Sequence, residues 1–161
     1  MLRSQINKEL ILQPIVIGYR HTGIITENID KSLEFYRDIL GLTVIQDFID
    51  SSEYINKITG IDDGSAHFIK LKANDGSVIE LLEYPTHPTK PANLSIINVG
   101  VCHIAFQVQS SEDAYNKLIK KKIKVLSKPV LSSEGFAKVF FCLDPDNVRV
   151  ELVEMIPGKN I

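Results

Sequence analysis

The chain has 161 residues, 44% of them hydrophobic and 24% charged, with a formal net charge of −2. These values suit one soluble domain with a core of ordinary size, and they exclude a basic field built to gather a nucleic-acid backbone. No run approaches the roughly 20 apolar residues that span a bilayer. Neither nucleic acid nor membrane is an expected partner, and the cytoplasm is the expected location.

Residues 1–14, MLRSQINKELILQP, read as an arm outside the main fold, without the apolar segment and cleavage site of a secretory leader. PIVIGYRHTGIIT, residues 14–26, is rich in β-branched side chains and reads as a strand. In IDKSLEFYRDILG, Ile29, Leu33, Tyr36 and Leu40 recur at helical spacing, with Asp30 as the expected N-cap and Gly41 as the stop. LTVIQDF and AHFIKLKA then read as strands, and a DG turn leads into a further strand, SVIELLEY. THPTKPANLS, residues 86–95, carries the prolines and polar residues of a linker.

The second half repeats the order. VGVCHIAFQV reads as a strand, and SSEDAYNKLIKKK as a serine-capped helix with Ala114, Tyr115, Leu118 and Ile119 on one face. IKVLSKP, AKVFFCLD and VRVELVEM follow as strands. The basic run Lys120–Lys124, broken by Ile123, fits the solvated end of the helix. Cys102 and Cys142 lie in apolar segments and are expected as buried free thiols, with neither a disulfide framework nor a zinc cluster.

Superposing His21 on His103 places Leu33 over Tyr115, and DGSVIELLEY falls over DNVRVELVEM without a gap. Glu80 then pairs with Glu151, and Glu83 with Glu154. A repeat of roughly 70 to 80 residues in two copies is no solenoid. It predicts an α+β fold of two βαβββ modules, residues 15–85 and 98–156, joined by residues 86–97 within one domain spanning 1–161.

Strand alternation puts Val78, Glu80, Leu82 and Tyr84 on one face and Ile79, Leu81 and Glu83 on the other. Arg149, Glu151 and Val153 share a face in the same way, as do His103, Ala105 and Gln107. A lone strand histidine is more often a satisfied structural group than a ligand, and a lone strand glutamate more often faces solvent. Recurrence of both types at equivalent places changes that balance. Two imidazoles and two carboxylates suit a divalent metal, whose charge would offset the desolvation of carboxylates among apolar neighbours. His67 has no counterpart in the second half and His87 falls in the linker, so both are assigned to structure or surface.

HTGIITENIDKSLEFYRDILGLTVI, DGSVIELLEY, VCHIAFQV and DPDNVRVELVEM resemble the vicinal oxygen chelate superfamily over roughly residues 15–156. That superfamily includes glyoxalase I, methylmalonyl-CoA epimerase, extradiol dioxygenases, fosfomycin-modifying transferases and bleomycin-binding proteins. The resemblance implies paired modules curving as mixed sheets around a cleft, with metal ligands from the first and last strand of each. Position by position these are His21, Glu80, His103 and Glu151. The pattern takes the glutamate immediately before leucine in IEL and VEL, and Glu83 and Glu154 lie on the opposite face unless a bulge intervenes.

Two histidines with two glutamates resemble the proton-transfer branch, glyoxalase I and the epimerase. The resemblance then implies one divalent ion (Ni, Co, Zn, Mn or Fe), a homodimer, and proton transfer α to a carbonyl through an enediolate or enolate that the metal stabilises. Glu151 is the expected ligand and base, Glu80 the ligand and possible partner base. Gln107 and Arg149 are the candidate substrate anchors. Glyoxalase I commonly has an arginine four residues after its first ligand, where this chain has Ile25, which weakens the case for a glutathione adduct as substrate. The DPDN turn also lacks the glycine of the usual DPDGN. The alternatives are an extradiol-type dioxygenase and a metal-free drug-binding protein of the same fold. A fourth ligand, at Glu80, argues against the first, and the absence of tryptophan against the second.

Overall fold

The computed structural model describes residues 15–88, 90, 96, 97 and 99–158. The predicted arm lies outside the described residues, as do residues 89 and 91–95 of the predicted linker. Among the described residues no helix is long and apolar enough to cross a membrane.

The first half contains β1 (Thr22–Ile25), α1 (Ile29–Leu33), β2 (Thr43–Asp50), α2 (Glu53–Thr59), β3 (Ala66–Lys72) and β4 (Val78–Glu83). The second half contains β5 (Ile104–Gln107), α3 (Ser111–Lys120), β6 (Val130–Leu131), β7 (Ala137–Leu143) and β8 (Arg149–Met155). The strands form two mixed sheets of four, in the orders β1-β4-β3-β2 and β5-β8-β7-β6. In each sheet the first strand runs parallel to the last and the remaining pairs are antiparallel. The duplicated α+β architecture predicted from the repeat is therefore present.

Several boundaries differ from expectation. The opening strand is only four residues long and begins after His21, and β5 likewise begins after His103. Helix α1 is capped by Asn28, whose side chain accepts from the Lys31 N–H, so Asp30 lies inside the first turn. Asparagine there satisfies an amide that the helix leaves unpaired. After Leu33 the helix widens into a π-helix, Glu34–Ile39. The wider turn lets the consecutive Phe35 and Tyr36 both enter the core, where their rings meet edge to face at 4.9 Å. Gly41 ends the segment at a φ of +89°, a left-handed conformation that costs glycine little.

The predicted strand IKVLSKP is reduced to one bridge, between Val125 and Cys142, and the fourth strand of that sheet is instead Val130–Leu131. Ser110 caps α3 as expected, and Leu118 is buried, but Ile119 is exposed. Cys142 is buried as predicted; Cys102 is exposed.

Alternation in β3 and β4 sends Ile69, Leu71, Ile79 and Leu81 to the helix side, where Ile24, Leu33 and Tyr36 cover them. The second sheet contributes Phe140, Cys142, Val150 and Leu152, with Leu118 of α3, to the same continuous core. Burial pushes the Cys142 thiol up to about 12, as befits a side chain used as a small hydrophobe.

Polar groups cross between the halves at the DPDN turn. Tyr36 Oη donates to Asp144 Oδ2 at 2.9 Å, and Thr26 Oγ1 donates to Asp146 Oδ2 at 2.6 Å. Asn147 takes the left-handed position itself, at a φ of +67°, which asparagine tolerates better than most residues. The missing glycine therefore leaves the turn intact.

Candidate metal centre

β4 and β8 run without a bulge, so the parity argument for their glutamates holds. Glu80 sits across from Gly23 on one side and Lys70 on the other, and Glu151 across from Ala105 and Phe141. Glu83 is paired in register with His67, on the other face. Glu154 is also on that other face: its Oε2 accepts from the Ser111 N–H at 2.8 Å and from Ser111 Oγ at 2.6 Å. These bonds hold the Glu154 carboxyl below the usual range. It is thus a tether for the start of α3.

Each histidine reaches the glutamate of its own half. His21 Nε2 lies 3.1 Å from Glu80 Oε2, and His103 Nε2 lies 3.1 Å from Glu151 Oε2. Two donors roughly 2.1 Å from one ion and at right angles to each other lie about 3 Å apart. The separation therefore suits a shared ion, as it also suits an imidazole N–H donating to a carboxylate. The four residues come together two and two. Among the described residues no group of three or more His, Cys, Asp or Glu side chains is placed to hold one ion.

The two couples differ in their surroundings. Glu80 is 8% exposed, and Lys70 Nζ lies 3.2 Å from its Oε1. His21 Nδ1 is buried with no hydrogen-bond partner among the described residues. A buried ring nitrogen left unpaired costs about 1–3 kcal/mol, so Nδ1 is the polar atom of this couple that the described residues leave short of a partner. His103 Nδ1 instead lies 2.8 Å from the Cys102 sulfur, and the His103 ring meets Phe141 edge-on at 5.4 Å. Two imidazoles and two carboxylates in matching couples fit a divalent ion, each couple supplying half of its donors.

The remaining candidates are dispersed. Gln107 lines a cavity of about 420 Å³ with Leu40, Asn74, Asp75 and Leu152, and none of the four proposed ligands borders it. Arg149 opens β8, two residues before Glu151 on the same face. His67 Nε2 pairs with Asp47 at 2.7 Å, and His87 Nδ1 lies 3.0 Å from Thr86 Oγ1, so both have local structural partners.

Lys70 is the residue the sequence reading missed. Alternation in AHFIKLKA shows that it faces away from Ile69 and Leu71. Only the β3–β4 register shows that it faces Glu80. A register shift between Val44 and Gln46 also brings Gln46, rather than Ile45, opposite Lys70.

Residues 18–152 match the profile of the Glyoxalase/Bleomycin resistance protein/Dioxygenase superfamily. The chain belongs to that superfamily. It is 31% identical over 142 residues to a probable lactoylglutathione lyase of Synechocystis sp., covering 87% of this chain and 97% of the relative. It is also 31% identical to the lactoylglutathione lyase of Schizosaccharomyces pombe over 153 residues, spanning 88% of this chain and 49% of that one. Among solved structures, a glyoxalase family protein from Bacillus cereus matches with a TM-score of 0.82 at 17% identity, covering 91% of this chain and 99% of the other. The trypanothione-dependent glyoxalase I of Leishmania major matches with a TM-score of 0.63 at 21% identity, covering 85% and 87%. The vicinal oxygen chelate fold of this superfamily is the one expected from the motifs.

Proposed function

We propose that the protein is a metal-dependent enzyme of the glyoxalase and epimerase type, moving a proton α to a carbonyl in a small α-oxygenated carbonyl compound or thioester. The observation that carries this reading is the pair of matching His–Glu couples, each separated by 3.1 Å, at equivalent places in two sheets. Two copies of the chain complete the site: His21 and Glu80 of one with His103 and Glu151 of the other. The separation of the couples, with no group of three or more such side chains among the described residues, supports that arrangement.

A bound divalent ion would serve as a Lewis acid toward the substrate's carbonyl oxygen. His21 and His103, whose Nε2 atoms face the glutamates, would hold it. Lys70 engages Glu80 Oε1 and leaves Oε2 as the ligand atom. Glu151 takes the α-proton on a carboxylate oxygen and returns it to carbon, while Glu80 faces it from the other couple. Gln107 and Arg149 are substrate anchors in this scheme.

The relatives' names favour the lyase branch. Ile25 offers no charge to a glutathione carboxylate, which weakens the case for a glutathione adduct as substrate without removing it from the screen. The free thiols of Cys102 and Cys142 suit a reducing cytoplasm.

The test is solvent-deuterium exchange with protein loaded with Ni, Co, Zn, Mn or Fe, screened over methylmalonyl-CoA, hemithioacetals and hydroxy-ketones. Deuterium is expected at the α-carbon with the wild type and not with Glu151→Gln. A Glu151→Gln protein that bound metal and still exchanged at the wild-type rate would remove Glu151 from the role.

A further inference from the structure

On the site face of the first sheet, His21 just before β1 stands in a row with Glu80 of β4, Lys70 of β3 and Gln46 of β2. Lys70 Nζ donates to Glu80 Oε1 at 3.2 Å and to Gln46 Oε1 at 3.0 Å, and its side chain is only 16% exposed. An ammonium has three donors, so one remains beyond these two bonds. The equivalent position in the second sheet is Phe141, directly across from Glu151. The duplicated scaffold thus places a cation beside one couple and an aromatic ring beside the other.

A lysine this far from water needs a matching charge. In the free chain the match is Glu80, one negative charge against one positive. The balance changes when the site is loaded. Two neutral imidazoles, two carboxylates and one divalent ion sum to zero, so Glu80 no longer offsets Lys70. Its ammonium is left as surplus positive charge within hydrogen-bond reach of a ligand carboxylate. A partly buried charge a few ångströms away discriminates between neutral and anionic ligands.

We propose that Lys70 makes the loaded site selective for a singly anionic chelating ligand, such as an α-hydroxy carboxylate, over a neutral hydroxy-ketone of similar size. This inference rests on the metal-site reading above and names the class of substrate for it. Lys70 bonds the anionic oxygen next to the chelating ones, and Phe141 of the other half supplies an apolar wall. Metal and anionic substrate therefore bind in a coupled way: loading Glu80 frees the charge that holds the substrate.

The test uses full-length Zn-loaded protein titrated calorimetrically with glycolate and with hydroxyacetone. Lys70→Met is expected to weaken glycolate binding by about tenfold or more while hydroxyacetone binding stays within about twofold. Lys70→Arg, which keeps the charge, should retain the preference for glycolate. Zn affinity of each variant, read by competition with a chromophoric chelator, shows that the site is still loaded. If Lys70→Met does not fold, Lys70→Gln carries the comparison. Equal weakening of both probes, or of neither, would overturn the inference and leave the metal reading standing. A wild type that binds no Zn would overturn both.

Discussion

The two halves of this protein share a backbone plan and differ in what surrounds the same pair of side chains. In the first, Glu80 is nearly buried and lies between His21 and Lys70. In the second, Glu151 is more open, and Phe141 occupies the place of Lys70. Both halves keep the histidine just before the opening strand and the glutamate of the last strand, which meet at 3.1 Å in each. The antiparallel neighbour was free to diverge, and with it the electrostatics of each couple. One repeated frame thus presents one carboxylate beside a cation and another beside an aromatic ring.

The sharpest way to break this division of labour is to neutralise each carboxylate in turn. Glu151→Gln should reduce α-proton exchange by about 10²- to 10⁴-fold, the usual contribution of a positioned base. Glu80→Gln should act chiefly through metal affinity, measured by chelator competition. Equal losses of exchange at full metal loading would mean that the halves do not divide the roles.

The next comparison concerns the shared core. Leu33→Ala in α1 and Leu118→Ala in α3 each remove a buried side chain from one continuous cluster. Each should cost about 2–5 kcal/mol, and both should lower the same single unfolding transition in urea. Two separate transitions would show that the halves unfold independently.

A smaller effect is expected where the halves exchange hydrogen bonds. Tyr36→Phe removes the donor that reaches Asp144 Oδ2, a carboxyl that burial raises above its ordinary range despite its hydrogen bonds. The loss should be about 1–3 kcal/mol, from leaving a buried acceptor short of a partner.

The smallest effect is a pH dependence at Glu154 in the second half. Hydrogen bonds from Ser111 lower the Glu154 carboxyl in the folded protein. A depressed carboxyl contributes stability above its unfolded value of about 4.3, and that contribution disappears as pH falls through the lower folded value. The stability difference between wild type and Glu154→Gln should therefore be present at neutral pH and vanish in that acid window.

The parity of VIELLEY and RVELVEM, with the repeat of the histidines, was enough to separate Glu80 and Glu151 from Glu83 and Glu154. It succeeded because side chains alternate with a period of two as a local property of the strand, and neither β4 nor β8 contains a bulge. The N-cap was misread because Asn28 and Asp30 both suit that place, and the choice depends on where the chain leaves β1. The strand expected in IKVLSKP failed for another reason. Its apolar residues pack and bridge to β7, but the ladder forms later, at Val130–Leu131. Cys102 was expected inside because its segment is apolar, yet β5 begins only at Ile104 and leaves it exposed.

The sequence by itself determined the duplicated α+β plan, the superfamily and the faces of the four candidate ligands, because each follows from periodicity and motif within short stretches. Tertiary structure alone decided that those ligands meet two and two, that the helices of both halves share one core, and that Lys70 stands beside Glu80. Those facts depend on strand register and on packing between residues far apart in the chain, which no local pattern encodes.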